Sequence, residues 1–136
     1  MPENTQFVHL HTHTEFSLLD GAMQTDAMCK RCVEYGMSSI AMTDHGNMFG
    51  AIEFYQNAHK SGIKPILGCE VYLAPFSIHD KKGYPGRKIA THLTLLAENE
   101  QGWKNLVKLV SRGHLEGMYY KPRVDRETLR EFHEGI

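Results

Sequence analysis

The chain has 136 residues, 41% of them hydrophobic and 23% charged, and its formal net charge is -1 at pH 7. That length and composition suit one compact globular domain with a real core and exclude a disordered chain. No apolar run approaches bilayer length, residues 1–6 lack the features of a secretion signal, and the near-zero charge gives no global attraction to nucleic acid, so the expected compartment is the cytoplasm with no membrane partner.

Residues 7–13 are expected to form a first strand. In an extended backbone His9, His11 and His13 would share one face. After the turn at Asp20 and Gly21, Thr25 is placed to cap a helix over 25–35, with Ala27, Met28, Cys32 and Val33 as its inward stripe and Gly36 as its stop. Residues 38–43 predict a second strand, which runs into Asp44, His45 and a glycine turn. A helix over 49–60 follows, with Ile52, Phe54, Tyr55 and Ala58 mostly on one side and Gly62 at its end.

Lys64 and Pro65 launch a third strand that carries Glu70 inside an apolar run. Residues 77–88, rich in Gly, Pro and charge, read as a flexible connection or a hairpin tip. His92 opens a fourth strand over 91–97. A third helix is predicted over 101–112, capped by Asn99, with Trp103 as a core anchor, and another helix start lies in 125–133. This alternation predicts βα units around a parallel sheet.

The three cysteines do not make a metal knuckle or a disulfide framework. Cys29 and Cys32 lack a second pair, and Cys69 should face away from Glu70 as a packing residue; all three are expected to be reduced. The basic stretches 81–88 and 121–123 read as solvated loops.

Histidine nitrogens and carboxylate oxygens without thiolate suit Zn, Mn or Fe, and a carboxylate such as Glu70 can bridge two ions. Individually, His45, Glu70 or His92 also fits a buried, hydrogen-bonded polar residue. Jointly, potential ligands on four successive strand-like segments favour a metal centre, because an uncompensated charge inside an apolar run is costly. His11, His13, Asp44 and His45 fall at strand ends, where reactive groups gather in α/β folds. Glu70 and His92 fall inside or at the start of their strands, so either those boundaries lie a few residues away, the favoured reading, or their side chains enter the site from within the sheet.

With these residues in hand, the chain resembles from end to end the PHP domain, the polymerase and histidinol phosphatase superfamily. The resemblance rests on residues 7–21, 41–48, 62–70 and 92–97. It implies an α/β fold, the amino-terminal portion of a distorted seven-stranded β/α barrel with parallel strands, in which residues 1–136 are the first half of the domain. It implies up to three divalent ions, Zn or Mn with Mg and Fe as alternatives. His11 and His13 would hold one ion, Glu70 would bridge to a second held by His92, and Asp20 with His45 would hold a third. His13, Glu70 and His45 are the positions it marks as catalytic, Asp44 an outer-sphere residue, and His9 a barrel-lining residue.

The resemblance is strongest to polymerase-borne members of the family. It implies a metal-dependent phosphoesterase, a 3′–5′ exonuclease acting on the primer-template 3′ end of DNA, with a sliding clamp and a proofreading subunit as replicase partners. Polymerase activity would belong to the longer parent. Later ligands would come from strands after residue 136, so the segment alone is expected to be hydrolytically inactive. Two other readings are a metal-stabilised docking module without turnover and, further behind, a histidinol-phosphatase-like enzyme for small molecules.

Overall fold

The computed structural model describes residues 7–136; residues 1–6, where the secretion-signal reading was made, lie outside them. The elements follow in the order α1 (Thr25–Glu34), β1 (Ser39–Met42), α2 (Ala51–Lys60), β2 (Lys64–Leu73), β3 (Thr91–Leu96), α3 (Glu100–Leu115), β4 (Met118–Tyr119), β5 (Lys121–Val124) and α4 (Arg126–Glu131). The class is α/β, and the sheet is organised around β2.

β1 runs parallel to the first part of β2, with Ser39 opposite Lys64 and Met42 opposite Leu67. β5 is also parallel, at Tyr72 and Leu73. β3, by contrast, is antiparallel, with Gly68 opposite Leu96 and Leu73 opposite Thr91. The expected parallel pairing holds for β1 and β5 beside β2, and β3 adds an antiparallel neighbour. The connection between β2 and β3 holds no helix, and a hairpin-type return reverses the chain. Tyr72 pairs with both His92 and Arg123, so β3 and β5 must flank opposite edges of β2.

The expected strand over 7–13 is not one. It runs beside β1 through backbone bonds from Ala41 N to His9 O and from Thr43 N to Thr12 O, each 2.8 Å. At Thr12 the amide donates instead to the Thr43 hydroxyl, at 2.8 Å. A side chain thus stands where a ladder carbonyl would, and regular pairing stops.

Two apolar clusters hold the layers together. Met28, Cys29 and Cys32 of α1 and Ala51, Phe54 and Ala58 of α2 close over Ile40 and Met42 of β1. Leu106 and Leu109 of α3 pack with Cys69, Val71 and Val124. The α1 stripe is rotated from the expected one: Cys29 is buried, Ala27 is exposed and Val33 is 52% exposed. Ile52 and Tyr55 face outward as well. Trp103 is partly buried against the α2 cluster. All three cysteines are free thiols.

Arg123 corrects a second expectation. Read as part of a solvated loop, it lies in β5 and is 1% exposed. Its guanidinium donates to the carbonyls of Gly117, Ile78 and Asp80 and sits 5.0 Å from the Tyr119 ring centroid. Carbonyl oxygens and a π face replace the water it gives up.

Thr25 is the first residue of α1 and not its cap, since its hydroxyl donates to Glu53, but the two later helix starts follow their residues. Asn99 caps α3 by accepting from Gly102 N at 3.0 Å, as its position predicts. Asp125 caps α4 in a reciprocal box with Thr128 and also accepts from Ile78 N at 2.8 Å, which ties the long 74–90 connection to the sheet. Burial raises the Asp125 pKa, but the hydrogen bonds from Thr128 and Ile78 more than offset it, leaving the group below its ordinary 3.8. Stability from such a group is present above the unfolded value and lost as pH falls through the folded one. Asp125→Ala should therefore cost about 1–2 kcal/mol at neutral pH. In urea unfolding the wild-type and variant curves should converge in acid, and an unchanged midpoint at neutral pH would contradict this role.

Candidate metal centre

Glu70 is the middle of the site because β2 holds it there. Its amide donates to Asp44 O at 3.0 Å, and its carbonyl accepts from Gly46 N at 2.9 Å, so residues 44–46 continue the edge that β1 begins. Alternation along the strand sends Cys69 and Val71 into the α3 core and Glu70 and Tyr72 to the other face. The Glu70 side chain is 6% exposed.

β3 supplies His92 by register. Thr94 lies opposite Glu70 and His92 opposite Tyr72, so His92 is the diagonal neighbour of Glu70 on the same face. Its Nδ1 lies 2.7 Å from Glu70 Oε1. Because β3 is antiparallel, its first residues sit at the carboxyl end of β2. Glu70 and His92 thus enter the site from within and from the start of their strands, and the expected boundary shift is not needed.

The segment before α1 brings two more imidazoles. His11 and His13 both direct Nε2 at Glu70 Oε2, His13 at 2.7 Å, and their two Nε2 atoms are 3.2 Å apart. The turn after His13 closes on itself through Ser17 N to Thr14 O and Gly21 N to Ser17 O. That folds Asp20 back, and its Oδ2 meets His13 Nδ1 at 2.6 Å. Gly21 permits the close return, since a Cβ there would stand 1.7 Å from the Thr14 carbonyl oxygen.

His45 completes the group. Its Nε2 is 3.0 Å from Asp20 Oδ2, while its Nδ1 lies 3.7 Å from Glu70 Oε2 and is buried with no hydrogen-bond partner. Gly46, beside it, has φ of 62° and lies against the Tyr72 ring, which stacks on His45 at 5.7 Å between centroids. Burial pushes the His45 pKa below its ordinary value, against the pull of Glu70 and Asp20. Burial works in the opposite sense on Glu70, but its histidine neighbours win, and its pKa is lowered.

The donors form three groups of ligand atoms: His11, His13 and Glu70; His13, Asp20 and His45; and His45, Glu70 and His92. Within each group the atoms lie within 4.8 Å of one another. The chemistry fits divalent ions on two observations. His45 Nδ1 is an orphaned buried nitrogen facing a carboxylate. In addition, two imidazole nitrogens crowd one Glu70 oxygen, where a cation would relieve the competition.

Two expected residues stand apart. Both Asp44 oxygens are taken by Thr14, from its amide at 2.6 Å and its hydroxyl at 2.7 Å, so the buried Asp44 fixes the His13 backbone rather than facing the donors. His9 is exposed and belongs to none of the three groups. One organiser carries no sequence signal that singles it out. Ser17 donates to Asp20 Oδ1 at 2.5 Å and accepts from His45 N at 3.2 Å, linking two donors that are distant in sequence.

A family model described as the PHP domain matches residues 9–136. Curated relatives named DNA polymerase III subunit alpha include those of Borreliella burgdorferi, 49% identical over 136 residues, and Thermus aquaticus, 50% identical over 141 residues. Both alignments cover all of this chain, but only 12% and 11% of those proteins. The chain therefore spans about a tenth of the length of these relatives. Among solved structures, a candidate metal-dependent phosphoesterase from Bifidobacterium adolescentis superposes with a TM-score of 0.56 at 18% identity, over 80% of this chain and 33% of that one. An amidohydrolase from Chromobacterium violaceum gives a TM-score of 0.55 at 22% identity, over 76% and 32%. These two likenesses are of fold. No helix among the described residues is long and apolar enough to cross a membrane.

Ions that bind only the folded chain stabilise it by mass action, about 2.7 kcal/mol at a free concentration 100 times Kd. Mn or Zn should therefore raise the thermal midpoint in differential scanning fluorimetry, whereas Mg at equal concentration should do less against nitrogen donors. His13→Ala, which touches two of the three groups, should abolish most of the shift. An undiminished shift in that variant would place the ions elsewhere.

Proposed function

Because the chain belongs to the PHP domain family, we propose that it is the amino-terminal PHP portion of a bacterial DNA polymerase III alpha subunit and that its centre hydrolyses phosphoesters. The observation that carries this reading is the convergence of His11, His13, Asp20, His45 and His92 on or around one buried carboxylate, Glu70. Identity near 50% to several alpha subunits over the whole chain supports the parentage. Within it, the reaction is 3′–5′ exonuclease proofreading, acting on a primer 3′ end presented by the remainder of the polymerase. The partners are DNA, the sliding clamp and a proofreading subunit, and the compartment is the cytoplasm.

His11, His13 and Glu70 would hold one ion, Glu70, His45 and His92 a second, and His13, Asp20 and His45 a third; Zn or Mn suits these donors. Bound there, divalent ions supply polarisation of a phosphoryl oxygen and a water of lowered pKa. The chain's own residues set the conditions for that chemistry. Glu70 turns one oxygen to His11 and His13 and the other to His92, so a single carboxylate can span two positions. Ser17 orients Asp20, and Asp44 holds the turn through Thr14. His11 and His92 are half exposed and form the rim, which leaves an approach for an extended strand end.

In the full-length polymerase, Glu70→Ala should lower release of a 3′-mismatched nucleotide by at least about 100-fold, more than loss of an outer-sphere partner, while extension of a matched primer is largely kept. The assay requires a preparation free of any separate proofreading subunit. Unchanged excision would overturn the hydrolytic reading. Loss of metal binding without any change in excision would leave a docking module in its place.

A further inference from the structure

Beside the centre, a cleft of about 250 Å³ opens between the turn that carries Asp20 and the β4–β5 hairpin. His45 forms part of its wall, with Leu18 and Leu19 from the turn and Tyr120 and Lys121 from the hairpin. No acidic side chain lines it. The hairpin is held against the centre, since Pro122 and the Tyr72 ring both lie close to Gly46.

Three features of this cleft bear on what it could hold, although the Tyr120 ring also meets Tyr119 edge-on at 4.8 Å between centroids. Leu18, Leu19 and Tyr120 are 79%, 83% and 80% exposed. Tyr120 is, among the described residues, the only non-glycine residue with positive φ, at 59°, a conformation that is costly for a bulky residue. Lys121 makes no ion pair among the described residues; its ammonium sits 5.3 Å from the Tyr72 ring centroid. An exposed aromatic face, two exposed leucines and an unpaired cation beside a phosphate-handling centre match a planar ring attached to an anion. The volume is below the roughly 300–1,000 Å³ typical of drug-sized ligands, so the cleft accepts one ring system rather than a folded strand.

We propose that this cleft is a nucleobase subsite: Tyr120 and the two leucines stack on the base of a deoxynucleotide, and Lys121 pairs with its phosphate as the phosphoester reaches the Glu70 centre. The proposal rests on the phosphoesterase reading and adds the place where the base of the nucleotide sits, between the Asp20 turn and the β4–β5 hairpin. Tyr120 is the single residue between β4 and β5, and the tight return that gives it positive φ also fixes its ring at the cleft.

Calorimetry on the full chain with Mn present tests this with three probes: deoxyadenosine 5′-monophosphate, 2-deoxyribose 5-phosphate and inorganic phosphate. The nucleotide should bind about tenfold or more tightly than the base-free sugar phosphate, in line with one aromatic stack. Tyr120→Gly, which suits positive φ, should erase that preference while leaving sugar-phosphate binding and the thermal midpoint undiminished. Tyr120→Phe should keep the preference, and Lys121→Met should weaken all three probes. Equal affinity for nucleotide and sugar phosphate in the wild type, or a full preference in Tyr120→Gly, would overturn the subsite even if phosphoesters are hydrolysed. A Tyr120-dependent preference, together with unchanged mismatch excision by the Glu70→Ala full-length polymerase, would support the subsite and overturn the phosphoesterase reading instead.

Discussion

The carboxylate of Glu70 is the constraint on which the rest depends. A side chain 6% exposed in the middle of a strand cannot keep its charge without compensation. Burial is the largest influence on it and favours the neutral acid, but hydrogen bonds from His11 and His13 and the charges of nearby imidazoles reverse that outcome. The molecule is arranged to deliver those imidazoles. One comes from the antiparallel partner strand, one from the turn after β1, and two from the irregular segment that β1 holds in place.

β2 carries both the core and the site, one on each face. Cys69 is fully buried, and burial pushes its thiol up to about 12, so it acts as an apolar packing group and not as a metal ligand beside Glu70. Because Cys69 and Val71 are locked against Leu106 and Leu109, Glu70 and Tyr72 have little freedom on the opposite face. A donor on a doubly paired strand is positioned more rigidly than one on a loop. The more exposed donors, His11 and His92, lie at the rim.

Much of this was legible in the sequence, and the failures have physical causes. The helices at 51–60 and 100–115 announce themselves by periodic apolar residues and, for the second, by Asn99. The direction of β3 does not, since alternation looks the same in either direction; only the helix-free connection from 74 to 90 pointed to a return. Residues 7–13 have strand composition, but Thr43 offers its hydroxyl in place of a carbonyl and breaks the ladder. Arg123 read as solvated because its partners are backbone carbonyls, which carry no residue signature. The same blindness applies at the site. His11, His13, Asp20, His45, Glu70 and His92 stand out by residue type, whereas the ordering roles of Ser17, Thr14 and Gly21 depend on a turn geometry that composition does not encode.

The donors are also far apart in the chain, which couples the centre to folding. His11 and His13 reach across 59 and 57 residues to Glu70, and His92 across 22. None of the three complete donor groups can assemble in an unfolded chain without first closing a long loop. The ordering entropy is therefore met by the core clusters and by the β2 ladders, which bring the donors together in the folded chain. Such an arrangement makes the centre sensitive to changes that touch no ligand: loosening the packing behind Cys69 or the turn that Asp44 anchors would spread the donors before it unfolded the protein. The sheet that supports the fold is thus also the element that spaces the donors, and the two properties cannot be adjusted independently at β2.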